Sequence, residues 1–288
     1  MSGVIAKLLV RNYCFVHGTL KLPGAGLLLR RCLPFVRGLW DYPLHIPEVG
    51  TARLDFRDDG AFGMLNVVLG DYGHNTHLFR CFDRLVKPNQ VLWDIGANIG
   101  YFSLYFALQP RQLQRLHSFE PNPAALTTLQ SLFQNHPWVT VHPVGLGMTD
   151  QELTMSVPPG ATPCGSLVRE LPNGRKVLIQ VRHGDRYARE QKIDLPDLIK
   201  IDVEGYELEV LAGLSGIIAA KRPVIIFEHG LLSDNQFSQI QHKVPPDYLL
   251  NLLSDVGVPV ADLTRRNVGN DAILVPKEKR AILEKLAA

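Results

Sequence analysis

The sequence predicts an α/β fold: a mostly parallel Rossmann-like sheet with helices on both faces, preceded by an N-terminal helical and strand extension. Two observations predict it. From residue 90 onward, short apolar runs alternate with helical stretches, and parallel strands need such crossovers. The first of these runs, Val91 to Ile95, leads through a glycine-containing turn into a helix.

Residues 1–45 read as short helical pieces interrupted by Pro23-Gly24, Gly26, Pro34 and Pro43. Residues 50–70 alternate like strands, with a turn at Asp58-Asp59-Gly60. Thr76 to Val86 is amphipathic and stops at Pro88. Strands follow at Val91–Ile95, Arg115–Phe119, Trp138–Val144, Leu198–Asp202 and Val224–Phe227. Helices fill the gaps at Ile99–Leu108, Pro123–Asn135 and from about Tyr206 to Ala220, and Pro123 suits a first helical turn. Residues 247–256 read as a further helix with Gly257 as its stop. Val258–Leu263 and Ala272–Val275 read as two last strands. The stretch 145–197 breaks the rhythm with Pro and Gly and reads as an insertion facing the substrate. The expected layout is an extension over residues 1–75 and one domain over 76–288.

The 288 residues carry a net charge of +2 and are 46% hydrophobic, which suits a large buried core and excludes an extended disordered chain. Four cysteines without close spacing exclude a disulfide scaffold and a zinc knuckle, and point to a reducing, cytoplasmic setting. The charge is uneven. Lys7, Lys21, Arg11, Arg30, Arg31 and Arg37 give +6 in the first forty residues, with no Asp or Glu, so the remainder is net −4. No aromatic-basic stripe accompanies that acidic remainder, which argues against a nucleic-acid partner. The apolar runs of residues 1–40 are cut by Lys and Arg, so neither a membrane span nor a signal peptide is read there. Gly3 to Val16 suits either a helix packed on the main domain or a short interfacial helix at a membrane face.

The segment VLWDIGANIGYFS, residues 91–103, holds the main chemical signal. Gly96 permits a tight turn and close approach of a ligand. The following helix start offers free N–H donors. The spacing is not G-x-G-x-x-G, and Asp94 is unfavourable beside a pyrophosphate. A carboxylate there suits a cationic ligand, and S-adenosylmethionine carries an amine and a sulfonium. Glu120 ends the next strand, 20 residues after Gly100, where a carboxylate can accept both ribose hydroxyls.

Three blocks extend this pattern: Asp94-Ile95-Gly96-Ala97-Asn98-Ile99-Gly100, Phe119-Glu120-Pro121-Asn122-Pro123, and Ile199-Lys200-Ile201-Asp202-Val203-Glu204-Gly205-Tyr206-Glu207 followed by Val210-Leu211-Ala212-Gly213. With these blocks, residues 85–230 resemble the FkbM family of S-adenosylmethionine-dependent methyltransferases. The resemblance implies a seven-stranded class I methyltransferase fold whose last strand is antiparallel. It implies that Asp94, Gly96, Asn98 and Gly100, with Ala97 in the same loop, hold the methionine end of S-adenosyl-L-methionine. Glu120 would hold the ribose and Asn122 add a polar contact near the adenosine. Met148-Thr149-Asp150 is a candidate stretch for the adenine. Family members methylate hydroxyls of sugars and polyketide-type metabolites, so the expected acceptor is a small molecule, glycan or glycolipid precursor.

The residues expected to act on the acceptor leave the fourth and fifth strands. Lys200 and Asp202 share a face of a regular strand. Glu204 follows two residues later, and Glu228 and His229 leave the fifth strand next door. His229 is a natural general base by its titration range, and Asp202 or Glu204 can orient the acceptor or serve as base. Each has a plainer reading: a loop histidine, a helix-start carboxylate for Glu204, and a salt bridge from Lys200 to Asp202. No metal-ligand spacing is explicit and no metal is expected; the minority reading is a divalent ion on the oxygen and nitrogen ligands of Asp202, Glu204, Glu228 and His229. A nucleotide-dependent oxidoreductase and a non-catalytic cofactor-binding assembly protein are the other classes.

Overall fold

The computed structural model describes residues 2–15, 25–46, 49–69, 76–108, 113–157 and 174–288. Helices α1 (Ser2–Tyr13) and α2 (Ala25–Cys32) precede an antiparallel hairpin of β1 (Tyr42–Ile46) and β2 (Gly50–Leu54). Helices α3 (Asp59–Val68) and α4 (Thr76–Leu85) follow. The repeating part runs β3 (Val91–Ile95), α5 (Tyr101–Leu108), β4 (Arg115–Phe119), α6 (Pro123–Phe133) and β5 (Val139–His142). Next come β6 (Gly145–Gly147), β7 (Gln151–Val157), β8 (Arg175–His183) and α7 (Gly184–Glu190). The chain closes with β9 (Leu198–Ile201), α8 (Glu207–Gly213), α9 (Ser215–Lys221), β10 (Val224–Glu228), α10 (Asp234–Gln239), β11 (Tyr248–Leu253), β12 (Pro259–Val260), β13 (Asp271–Pro276) and α11 (Ala281–Ala287).

The central sheet has the order β12-β11-β13-β10-β9-β3-β4-β5. Strands β10, β9, β3, β4 and β5 are mutually parallel, and β13 is antiparallel to β10. These are the strands of the expected class I methyltransferase sheet, with the two-residue β12 as an additional edge. The chain leaves the centre at β3 toward β5 and returns to β9, so the switch point lies between β3 and β9. Ligands of such sheets bind there, outside the carboxyl ends.

Both faces are covered because the strands alternate between two apolar clusters. Leu92, Leu198, Ile226 and Ile273 point to one cluster, packed under α4, α5 and α6. Trp93, Ile199, Phe227 and Leu274 point to the other, under α7, α8, α9 and α10. The first cluster also takes in Ala6, Val10 and Tyr13 of α1, Leu54 of β2 and Phe62 of α3. Helix α1 is therefore packed on the main body along one stripe, and Tyr13 donates its hydroxyl to Asn66 Oδ1 at 2.7 Å.

Several expected elements differ. Residues 247–256 contain strand β11, not a helix, paired with β13 from Tyr248↔Pro276 to Leu253↔Asp271. The run Tyr-Leu-Leu-Asn-Leu-Leu is too short for its period to separate strand from helix. Burial between β13 and β12 decides it. Gly257, at φ +81°, turns the chain into β12, and its N–H donates to Ser254 O. The strand expected at Val258–Leu263 is only Pro259–Val260.

Residues 59–68 form helix α3 instead of continuing the strand pattern. Asp58 accepts the Gly60 N–H at 3.1 Å and satisfies a free donor at the helix start. A strand, β1, replaces helical structure at Tyr42–Ile46. The helix from Tyr206 is two helices broken at Leu214. The third strand stops at His142, and β6, β7 and β8 form a separate three-stranded sheet. The Pro- and Gly-rich centre of the 145–197 insertion, like the Pro23-Gly24 break, lies outside the described residues.

Candidate active site

Asp94, one residue before the end of β3, has no exposed surface. Its partners explain how a carboxylate survives there. Ser103 of α5 donates to Asp94 Oδ2 at 2.6 Å, and Lys200 Nζ lies 3.2 Å from Oδ1. Asp94 and Lys200 are directly opposite across the β3–β9 pair, so the sheet register brings the pair together. Lys200 Nζ also lies 3.3 Å from Asp202 Oδ2, donates to Gly96 O at 3.3 Å, and sits over the Phe102 ring. Burial pulls the Lys200 ammonium downward, but Asp202 and Asp94 outweigh it and raise it above its ordinary value.

The loop after β3 is held in conformations that suit close contact. Gly96, Asn98 and Gly100 all have positive φ, at +81°, +54° and +90°. A side chain on Gly96 would lie 1.8 Å from the Asp202 carbonyl oxygen, so only glycine lets this loop rest on the end of β9. Ala97 is buried in the same loop, and the N–H groups of Gly96 and Ala97 donate to Phe119 O.

Glu120 ties this loop to the next one. Its Oε2 accepts the Asn98 N–H at 2.8 Å and its Oε1 accepts the Asn122 N–H at 2.7 Å. Burial raises Glu120 to about 7, and the two N–H donors partly offset that. Each oxygen keeps a second lone pair for a ligand hydroxyl. The Asn122 side chain caps α6 by accepting the Ala124 N–H at 3.0 Å. Asp150, in the stretch expected near adenine, accepts the His183 N–H and pairs with Arg182 and Arg186.

Asp202 and Glu204 follow β9. Glu204 adopts φ +57°, an uncommon conformation for a residue with a Cβ and one that concentrates at functional sites. Below it, buried Glu207 accepts the Val203 and Gly205 N–H groups at 3.2 Å and shapes the turn. Glu228 ends β10, opposite Asp271 of β13. Burial, then Asp202 and Glu204, raise Glu228 to about 9. Asp271 in turn is 2.7 Å from His77 Nε2 on α4.

His229 behaves differently. It is 1% exposed, its ring packs on Phe237 of α10, and neither ring nitrogen has a hydrogen-bond partner. Burial and the nearby Arg266 lower it. Thus Asp94, Gly96, Lys200 and Asp202 converge, and Glu228 feels the charges of both Asp202 and Glu204. His229 is turned into the second apolar cluster.

Sequence reasoning gave no role to Ser103, Ser118, His77 or Asp271. Ser103 is nine residues after Asp94 and one helix turn into α5, a spacing that signals proximity once the loop is recognised. It also shares a 2.8 Å hydrogen bond with Ser118 of β4. The His77–Asp271 pair joins residues 194 apart and has no sequence signal. Among the described residues no group of three His, Cys, Asp or Glu side chains is arranged to hold a metal ion.

The charged groups around the loop are mostly carboxylates, Asp94, Asp202 and Glu120, with the Lys200 ammonium already paired. This set fits a ligand bearing an ammonium and a sulfonium, and opposes a pyrophosphate. Comparisons with known proteins find methyltransferases. The profile of the Methyltransferase FkbM domain matches residues 94–255. Hexuronic acid methyltransferase AglP of Haloferax volcanii is 26% identical over 188 residues, 65% of this chain and 71% of that protein. Methyltransferase 1 of Beauveria bassiana is 29% identical over 157 residues, 47% of this chain and 63% of that protein. The crystal structure of Methyltransferase FkbM from Methylobacillus flagellatus matches with a TM-score of 0.45 and 19% identity, over 75% of this chain and 55% of that one. The profile spans more than half of the sequence and begins at Asp94 itself: the chain belongs to the FkbM methyltransferase family.

Proposed function

We propose that this methyltransferase moves a methyl group from S-adenosylmethionine to a hydroxyl of a sugar or glycan acceptor. The observation that carries the reading is the run of acidic side chains along the carboxyl ends of β3, β9 and β10 and the amino end of the antiparallel β13, next to the glycine loop. Carboxylates accept hydrogen bonds from hydroxyls, and a polyhydroxyl acceptor satisfies several at once. The hexuronic acid named for AglP supports a sugar acceptor. Residues 76–288 are the transferase domain in this reading and 1–75 its extension.

The bound cofactor supplies an electrophilic methyl on a sulfonium. The protein supplies position and a proton acceptor. Asp94, Gly96, Ala97, Asn98 and Gly100 hold the amino-acid end, and Glu120 holds the ribose. Lys200 fixes Asp94 and Asp202 in one arrangement, and holding the acceptor in line with the methyl donor is worth up to ~7–11 kcal/mol in favourable cases. Asp202 or Glu204 would take the proton of the acceptor's hydroxyl. Glu228, raised to about 9, is protonated near neutrality and donates a hydrogen bond to the acceptor. The burial of the His229 ring against Phe237 favours Asp202 or Glu204 over His229 as base.

Calorimetric titration with S-adenosylmethionine and, separately, NADH tests the cofactor, with Asp94→Ala as control. Binding of the sulfonium compound alone, lost in the variant, is expected. Binding of NADH would move the protein to the oxidoreductases. Radiolabelled methyl transfer to neutral sugars, uronic acids and glycolipid fractions then tests the acceptor. An alkali-stable methyl ether is expected. Cofactor binding with no transfer to any hydroxyl would favour a non-catalytic role.

A further inference from the structure

Helix α1 carries two apolar stripes where packing needs one. Ala6, Val10 and Tyr13 face the core and are buried. At ~100° per residue, Val4, Leu8 and Arg11 fall on the opposite side of the helix line, and Phe15 follows just past its end. Val4, Leu8 and Phe15 are 65%, 61% and 55% exposed. Ile5 borders this second stripe and is also exposed, and Lys7 borders it on the other side. Phe35 is 85% exposed, two residues before the Arg37–Leu39 turn that packs against α1. Arg31 and Arg37 are exposed beside it.

We infer that this face docks on an anionic phospholipid bilayer, lying in the interface and not crossing it. No helix among the described residues is long and apolar enough to span a membrane. The charge identifies the occupant. Residues 1–40 hold six basic side chains and no acidic one, while the rest of the chain is net acidic. Apolar side chains alternating with Lys and Arg on one surface insert among acyl chains and pair with anionic headgroups. A second copy of the chain fits poorly, because joining two such faces sets Lys7, Arg11, Arg31 and Arg37 against themselves.

Flotation with phosphatidylcholine vesicles, with and without phosphatidylglycerol, tests this on the full chain. Wild type is expected to float with the anionic vesicles, weakly with the neutral ones, and to be released by salt. Leu8→Glu combined with Phe35→Glu should lower binding about tenfold or more, since each variant removes apolar surface and adds repulsion. Both side chains are exposed, so circular dichroism and S-adenosylmethionine affinity should match wild type. Lys7→Gln with Arg11→Gln should weaken binding to anionic vesicles alone. Wild type that floats with neither vesicle, or a double Glu variant that floats like wild type, overturns the proposal. So does a wild-type dimer that Leu8→Glu dissociates without any vesicle binding.

Discussion

Lys200 and His229 stand at adjacent strand ends, both almost removed from solvent, in opposite surroundings. The Lys200 ammonium meets Asp94, Asp202 and the Gly96 carbonyl. The His229 ring meets Phe237, and its nitrogens have no hydrogen-bond partner. A buried group surrounded by counter-charges keeps its charge and organises its neighbours. A buried ring without partners stays neutral and serves packing. Residue type alone ranks the two the other way, because histidine is the more common base.

The largest expected effect is at Lys200. Lys200→Met leaves Asp94 buried without its counter-charge, and breaking such a pair costs about 3–5 kcal/mol. Urea denaturation measures it; a loss below about 1 kcal/mol would show that Lys200 is not what holds the carboxylates. Gly96→Ala comes next. The backbone conformation and the approach to Asp202 O predict a loss of at least ~2 kcal/mol together with weakened cofactor binding. An alanine variant with wild-type stability and affinity would mean that the loop does not rest on β9.

His229→Leu should change stability by less than about 1 kcal/mol, because an apolar group of similar size replaces a polar group without partners. Its kcat should stay near wild type. A kcat collapse at unchanged KM, with the pH profile altered, would restore His229 as the base.

The smallest effect is in the pH dependence. Glu228 is raised to about 9, so its proton is held more tightly in the folded state than in the unfolded chain. The stability this supports is full below the ordinary carboxylate value and is lost as pH rises toward 9. Glu120 and Glu207, each raised to about 7, act the same way over the lower part of that range. Glu228→Gln should flatten the decline above pH 7, as read by thermal unfolding across pH. An unaltered decline would place its origin elsewhere.

Much of the central fold was legible. The strands β3, β4, β9 and β10 are continuous apolar runs, as burial on both faces requires. The C-terminal edge was not. The Leu-rich run of β11 carries no period of its own, and its partner β13 lies some twenty residues further on. The start of α3 was misread because Asp58-Asp59-Gly60 suits a turn and a helix cap equally, and the buried Phe62, Met64 and Leu65 decide between them. At the site, the glycine loop and the place of Glu120 beside it were legible because a strand–turn–helix and the end of the next strand are features local in sequence. The separation of Glu228 from His229 was not, since neighbours on a strand point to opposite faces and only the end of β10 shows which face is which.

The amino-acid sequence by itself determined the order of strands and helices, the glycine loop, the acidic residues at the strand ends and the basic, acid-free first forty positions. These depend on local conformation and on counting. The tertiary structure decided which of those groups meet. The register of β9 against β3 pairs Lys200 with Asp94, and the return of β13 beside β10 brings Asp271 to Glu228 and His77. Packing likewise chose which stripe of α1 faces inward. Long-range pairing and burial carry no local signature, so only the folded chain reveals them.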